Sequence, residues 1–174
     1  MKWYEMIFVL IDMRSFSNLW YWIALAVLWS TTSHWVMGVP YDMITRARRK
    51  GGPAMEDLNA IARINAMRLL YISRHAGLWL LAFTSFLLTT LAILAFWQHV
   101  EFAQAVFLML APMVLIGWLS LRVALKIEEH DLSAEPLVST LLRHRMVVQL
   151  IGMVSIFITS LFGMYQNMAV GGWG

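Results

Sequence analysis

The chain has 174 residues, of which 60% are hydrophobic and only 13% are charged, and its mean hydropathy is +0.67. Soluble domains are nearer half apolar and a quarter charged, so this composition indicates a protein whose solvent is lipid. The lack of cysteine excludes disulfides, thiolate metal sites and cysteine nucleophiles, and the net charge of +3 gains meaning only from where the charges lie.

The first predicted element covers residues 3–13, which read Trp-Tyr-Glu-Met-Ile-Phe-Val-Leu-Ile-Asp-Met. This stretch is too short to span a bilayer, and its aromatic and large aliphatic residues are typical of an amphipathic helix at the membrane interface. Packing on the flank of the protein's own helices explains the same pattern equally well. A signal peptide is not indicated, because acidic residues accompany the basic ones and the apolar run that follows is too long.

Four apolar stretches of 19 or 20 residues follow, and none contains Asp, Glu, Lys or Arg. They cover residues 19–37, 78–97, 102–121 and 146–165. At a rise of about 1.5 Å per residue this length matches a hydrocarbon core of roughly 30 Å, where only a helix satisfies its own backbone. The sequence therefore predicts one all-α, polytopic membrane domain over residues 1–174, built as an antiparallel four-helix transmembrane bundle.

Two connections, at residues 40–75 and 122–145, are long enough to extend helices beyond the membrane. Pro53 suits a first helical turn and no proline interrupts residues 54–97, which predicts an early start for the second spanning helix. The third is expected to run to about Glu129, and Pro136 indicates an early start for the fourth. These extensions either pack on one another or also dock a partner.

An apolar stripe is predicted on the part of the second helix that precedes the membrane. Its members are Leu58, Ile61, Leu69 and Ile72. The stripe is the face that we expect to turn inward in the bundle of extensions.

The basic residues are divided unequally between the two ends of the predicted helices. Eleven of the 13 lie within residues 40–75 and 122–145, two precede the first span, and the outer turn and the C-terminal tail have none. Because cytoplasmic loops carry the excess of Lys and Arg, both termini are expected in the periplasm of a bacterial inner membrane. Tryptophan and tyrosine residues near the span ends agree with the same two boundaries.

Small residues recur at helical spacing in the spans, a pattern that lets helices approach closely in lipid. The sets that we single out are Ala82, Ser85 and Thr89 in the second span and Gly152, Ser155, Thr159 and Gly163 in the fourth. They suit packing inside the bundle and association with another protein's helices equally well.

Three histidines, His34, His75 and His144, are predicted at the inner ends of three different spans. Imidazoles at one depth can ligate haem b or a metal, and at the headgroup level they also bond water or backbone. No metal-binding or catalytic motif accompanies them.

A cluster of exposed cations is predicted after the first span, at Arg46, Arg48, Arg49 and Lys50. It is either a site for anionic lipid or an anionic partner, or simply a determinant of topology. It lacks the interleaved aromatic residues of a nucleic-acid surface, so no nucleic-acid partner is predicted.

Three strings carry a family resemblance: Arg14-Ser-Phe-Ser-Asn-Leu-Trp-Tyr-Trp22, Gly152-Met-Val-Ser-Ile-Phe157 and Gly163-Met-Tyr-Gln-Asn167. They resemble a small uncharacterised family of bacterial inner-membrane proteins, some of which are labelled "component of SufBCD complex". The resemblance implies a membrane protein and supplies no site residues. An iron–sulfur assembly scaffold would offer thiolates, which this chain lacks.

The absence of charge inside the spans disfavours a proton-coupled transporter or ion pump. Together with the small-residue faces, it favours a non-enzymatic accessory, assembly or stabilising subunit of a larger inner-membrane complex. The expected partners are the lipid bilayer and other transmembrane proteins. The alternative is a haem- or quinone-binding membrane redox protein that uses the inner-face histidines.

Overall fold

A computed structural model describes Phe16 and residues 19–171, apart from the side chains of residues 170 and 171. The elements are α1 (Leu19–His34), β1 (Trp35–Val36), β2 (Val39–Pro40), α2 (Tyr41–Lys50), α3 (Gly52–Ala92), α4 (Glu101–Glu129) and α5 (Ala134–Gly171). A π-helical turn, Ile93–Trp97, extends α3 at its end. The predicted interfacial helix at residues 3–13 lies outside the described residues.

The all-α prediction is confirmed, since helices form nearly all of the described chain. The helices α3, α4 and α5 are long and apolar enough to cross a membrane. Helix α1 has 16 residues and is about 24 Å long, which is less than the hydrocarbon core requires. Among the described residues, three helices rather than the predicted four therefore have the length and composition of a span.

The predicted first span, residues 19–37, is wrong at its C-terminal end, because the chain leaves the helix after His34 and forms a hairpin. Val36 pairs with Val39, and the two residues between them have positive φ angles, 53° at Met37 and 76° at Gly38. Two consecutive positive φ angles form the tight turn whose twist matches a two-stranded ribbon. A Cβ on Gly38 would lie 3.0 Å from Nδ2 of Asn65, so the turn packs directly on α3.

Helix α3 begins where the sequence predicted, just before Pro53. Gly51 and Gly52 have φ angles of 59° and 51°, which separate it from α2, and Pro53 lies in its first turn. From there the helix runs without interruption for 41 residues. The extension and the predicted second span are thus one continuous helix.

The turn between α4 and α5 also follows the predicted boundaries. Helix α4 ends at Glu129, and α5 begins at Ala134 with Pro136 in its first turn. The backbone N–H of Ala134 donates a hydrogen bond of 2.9 Å to Oδ1 of Asn59. A side chain of α3 therefore satisfies a donor at the start of α5, which fixes the two extensions to each other.

The largest buried core lies in the extensions rather than in the membrane segments. It contains Val36, Val39, Ile44, Ala47, Leu58, Ala62, Ala66, Leu70, Ala124, Ile127, Leu137, Val138 and Leu141. These residues come from the hairpin, α2 and the non-membrane parts of α3, α4 and α5. The extensions therefore pack on one another around a common apolar centre.

The buried row of α3 differs from the predicted stripe. Leu58 is buried as predicted, but the row continues through Ala62, Ala66 and Leu70, while Ile72 is exposed. The two alanines let the neighbouring helices approach α3 closely, which displaces the larger aliphatic residues to the edge of the core. The predicted stripe contained only large aliphatic residues. It therefore missed the two alanines, which contribute to packing through their small size.

Candidate functional site

The small residues of α5 lie in contact with aromatic side chains of the N-terminal segment and α1. A Cβ on Gly152 would lie 2.8 Å from the ring of Trp29, and one on Gly163 would lie 3.3 Å from the ring of Phe16. Thr159 is fully buried, and Ser155 lines a groove between α5 and α4. Each glycine thus provides the space that an aromatic ring occupies, and this face of α5 is filled from within the chain.

Within the described part of the chain, the small residues of α3 have no such cover. Ala82, Ser85 and Thr89 are all exposed. In the most apolar stretch of each long helix, 6% of the α3 residues are buried inside the protein, against 22% in α4 and 28% in α5. The membrane segment of α3 is therefore the least covered of the three, and its small-residue face is open.

Two exposed tryptophans frame that open face. Trp79 and Trp97 are 81% and 80% exposed, and they are separated by about 27 Å along the helix. Indole rings favour the two membrane–water interfaces, and this separation is close to the thickness of the hydrocarbon core. We therefore take the surface that includes Ala82, Ser85 and Thr89, which we call the open face, as the candidate functional site.

At the end of the molecule away from the extensions, Gln104 connects α3 to α4 and α5. Its side chain is 2% exposed, its Nε2 donates to the carbonyl oxygen of Ala95 at 2.8 Å, and its Oε1 accepts from Nε2 of Gln166. Ala95 lies in the π-helical turn, where the regular helical bonding pattern changes. The sequence analysis missed this residue, although a glutamine inside an otherwise apolar span is itself a signal.

The N-terminal end of α1 is fixed in the same region. The backbone N–H of Phe16 donates to Oε1 of Glu101 at 2.8 Å, and the hydroxyl of Tyr21 donates to the carbonyl oxygen of Ala105 at 3.2 Å. The indole N–H of Trp22 donates back to the carbonyl oxygen of Phe16. These bonds hold α1 against the beginning of α4.

At the opposite end, Arg145 joins three elements. Its Nε donates to the carbonyl oxygen of Ser33 at 3.2 Å, and its guanidinium carbon lies 3.8 Å from the centre of the Tyr41 ring. It also donates to Oε1 of Gln149 at 3.4 Å. In the sequence Arg145 counted only as one of the charges that set topology. In the structure Arg145 also connects α5 to α1 and α2.

The three histidines have different neighbours. The ring of His144 is 5% exposed and forms a 3.1 Å hydrogen bond with Ser120, and its burial lowers its pKa, which favours the neutral ring. His75 is exposed, stacks on Tyr71 and donates to its carbonyl oxygen. His34 is exposed and contacts Trp35. In the part of the chain that the structure describes, no three His, Asp or Glu residues lie close enough to hold a metal ion.

The cationic cluster lies in the C-terminal half of α2, with Arg48, Arg49 and Lys50 in the last turn. Arg46, Arg48, Arg49 and Lys50 are all exposed. Ile44 and Ala47, on the other side of this short helix, belong to the core of the extensions. Cations at this position complement the negative end of the helix dipole, and their side chains are free to face solvent or lipid headgroups.

Comparisons with protein-family models, with curated proteins and with solved structures find no match to this chain. The resemblance carried by the three sequence strings therefore stays a prediction, and function has to be argued from geometry alone.

Proposed function

We propose that this protein is a non-enzymatic accessory, assembly or stabilising subunit of a larger complex in the bacterial inner membrane. The observation that carries the proposal is the open face of α3, whose small residues Ala82, Ser85 and Thr89 are exposed and left uncovered by the residues that the structure describes. The occupant that we propose is a transmembrane helix of a different protein.

The composition of the open face supports a protein neighbour over lipid. Lipid tails are as apolar as leucine, so helices in a membrane associate through close packing and interhelical hydrogen bonds. Alanine at position 82 and hydroxyls at Ser85 and Thr89 allow both, since they are small and two of them carry a donor. On α5 the small residues Gly152 and Gly163 accommodate the rings of Trp29 and Trp22 from α1, which is an example of close packing at small residues in this protein.

The anchoring of α3 also supports an intermolecular role. Its first half is held in the core of the extensions, and its far end is bonded to Gln104 through Ala95. The segment of α3 between these two attachments, which carries the open face, is therefore held in a fixed position. It needs little further ordering when a partner binds. A preorganised helix loses less conformational entropy when a partner docks on it.

We also propose the complete topology of four crossings, with both termini in the periplasm. Helix α1 is the fourth crossing in this proposal, although it is shorter than the other three. It contacts Ala105 near the start of α4 through Tyr21, and through Ser33 it contacts Arg145, which directly precedes the predicted span of α5 at residues 146–165. These contacts support α1 extending between the same two boundaries, and the basic residues of the extensions support a cytoplasmic location for them.

The absence of native cysteine makes a direct test possible. Single substitutions Ala82→Cys, Ser85→Cys and Thr89→Cys, labelled with a benzophenone maleimide in native membranes, are expected to cross-link to another membrane protein on illumination. The matched controls are Phe157→Cys and Met164→Cys, which lie on exposed positions of α5 where we expect lipid. Mass spectrometry of the cross-linked bands identifies the neighbour.

Equal cross-linking from the controls would contradict the proposal, because it would indicate random collision. So would adducts that contain only a second copy of this chain, which would make the open face a homodimer interface. The same holds for adducts with lipid alone from all three positions on the open face.

The redox alternative stays a hypothesis from the sequence. A haem held by two histidines needs their rings to face each other, whereas His34, His75 and His144 contact different residues. The absorption spectrum of the purified protein tests it.

A further inference from the structure

A groove between α4 and α5 opens at the end of the molecule that carries the extensions. It has a volume of about 440 Å³, within the range of small-molecule sites. Three cations line it, Arg122 and Lys126 from α4 and Arg143 from α5, and none of the residues lining it is acidic. We call this region the basic mouth.

Among the described residues, the charged donors in the basic mouth are the three cations, and His144, which also lines it, bonds to Ser120 through Nε2. The guanidinium carbon of Arg122 lies 3.9 Å from the centre of the Trp118 ring, which positions it. The hydroxyls of Ser139 and Thr140 also line the mouth, but both already donate to the carbonyl oxygen of Pro136. Guanidinium and ammonium groups at one opening are the usual ligands of a phosphate.

The same two helices form a second, apolar groove deeper in the membrane segment. It has a volume of about 340 Å³, and its lining includes Leu115 of α4 and Leu150 of α5. Leu115 is one turn beyond Leu119 of the basic mouth, and Leu150 is one turn beyond Val147. We call it the apolar trough, and it continues the basic mouth into the bilayer.

The apolar trough is long enough to receive part of an acyl chain. On α4 the lining of the two grooves extends from Leu108 to Lys126, about 27 Å along the helix. Pro112 lines the trough and has no N–H, so the regular bonding of α4 is interrupted at this depth. A ligand that fits both parts carries an anionic head and a long apolar tail.

We propose that the groove between α4 and α5 is a binding site for an anionic phospholipid of the leaflet next to the extensions. The phosphate binds Arg122, Lys126 and Arg143, and one acyl chain lies in the apolar trough. A soluble phosphate makes no use of the trough, and a zwitterionic headgroup brings a positive charge next to three cations. The site is separate from the open face of α3, so it stands or falls independently of the proposed function.

The test compares phosphatidylglycerol with phosphatidylcholine of the same acyl chains. Each lipid is titrated into delipidated protein in neutral detergent, and native mass spectrometry counts the molecules bound. We expect one phosphatidylglycerol to bind more tightly than phosphatidylcholine. The substitutions Arg122→Gln, Lys126→Gln and Arg143→Gln together are expected to weaken its binding by roughly fivefold per charge removed.

The matched control removes three cations from α3, with Arg63→Gln, Arg68→Gln and Arg74→Gln. These residues are exposed and do not line the groove, so the affinity for phosphatidylglycerol is expected to stay unchanged. In the trough, Ala111→Phe is expected to weaken lipid binding while all three cations remain. If the triple variant at the mouth does not fold, as judged by circular dichroism, Arg143→Gln alone decides the first comparison.

Three results would overturn the proposal. Equal affinity for the two lipids would remove the role of the cations, and an equal loss in the α3 control would make the effect one of net charge. Displacement of phosphatidylglycerol by inorganic phosphate at similar affinity, with Ala111→Phe without effect, would leave a site for phosphate alone.

Discussion

The membrane segments of α3 and α5 have similar compositions, and both carry small residues at helical spacing. They differ in whether other parts of the protein cover those small residues. On α5, Gly152 and Gly163 receive the rings of Trp29 and Phe16. On α3, the equivalent positions are exposed. A small-residue pattern therefore states that close packing is possible, and whether it occurs inside the chain depends on which helix the fold brings near.

The hairpin after α1 explains how α1 comes to lie on α5. Val36 and Val39 pair around a tight turn, and both are buried in the core of the extensions. The turn ends α1 at His34, where Arg145 of α5 bonds to Ser33. With α1 fixed at this end, its aromatic residues lie along α5, and α3 is left on the uncovered side.

The strongest test of this difference between α5 and α3 is to place the same large side chain on both faces. Gly152→Leu is expected to destabilise the isolated protein by about 1–3 kcal/mol or more, because its Cβ alone would overlap the Trp29 ring. Ala82→Leu, on the open face, is expected to change the stability of the isolated protein by less than about 0.5 kcal/mol. Unfolding in sodium dodecyl sulfate, followed by circular dichroism, measures both.

Equal destabilisation by the two leucines would show that the α3 face is covered in the isolated protein. In native membranes our proposal predicts a further effect of Ala82→Leu. The substitution is expected to reduce cross-linking from Ser85→Cys to the neighbouring protein.

A second test concerns the hydrogen bond by which Gln104 holds the π-helical turn at the end of α3. Gln104→Leu leaves the carbonyl oxygen of Ala95 and the amide of Gln166 without their partner, and it is expected to cost about 1–2 kcal/mol. Gln149→Leu is the control, because its bond to Arg145 is longer, at 3.4 Å, and only partly buried. The same unfolding titration applies, and a larger loss in the control would contradict the role of Gln104.

The smallest effect is expected at the other attachment of α3, where Arg74 donates two hydrogen bonds to the carboxylate of Glu128. This pair is exposed, so Glu128→Gln is expected to lower stability only slightly, and less in high salt. Its hydrogen bonds from Arg74 lower the pKa of Glu128. The contribution is therefore present above the pKa of the unfolded carboxyl and lost as the pH falls through the lower folded value.

A stability difference between wild type and Glu128→Gln that disappears on acidification would support this attachment. A difference that grows as the pH falls would contradict it. Arg63 of α3 and Asp131 of the turn after α4, 3.5 Å apart and more exposed, form the comparison pair.

Several boundaries followed from local sequence alone. Pro53 and Pro136 lie in the first turns of α3 and α5, and α4 ends at Glu129 as predicted. Proline favours a helix start through its own backbone geometry, and an uncharged run of fixed length favours a membrane span through the solvent that surrounds it. Neither effect depends on the rest of the fold. The hairpin was missed because its two short strands are stabilised mainly by burial in the core of the extensions and by the contact of Gly38 with Asn65.

The residues that join helices were also beyond the reach of sequence. Arg145 appeared as a topology signal and Gln104 was passed over, because their bonds connect residues 112 and 62 positions apart in the chain. Such contacts depend on the relative rotation of helices, which hydropathy does not encode.

The sequence by itself determined that this is a helical protein with stretches long and apolar enough to cross a membrane, and where its helices run on beyond those stretches. Hydrophobic length, proline positions and the distribution of charge are local properties, and they act before any helix meets another. Only the tertiary structure decided that the small face of α5 is filled by α1, that the face of α3 stays open, and that three cations share one groove. Those outcomes depend on the shapes of surfaces that meet across long sequence separations.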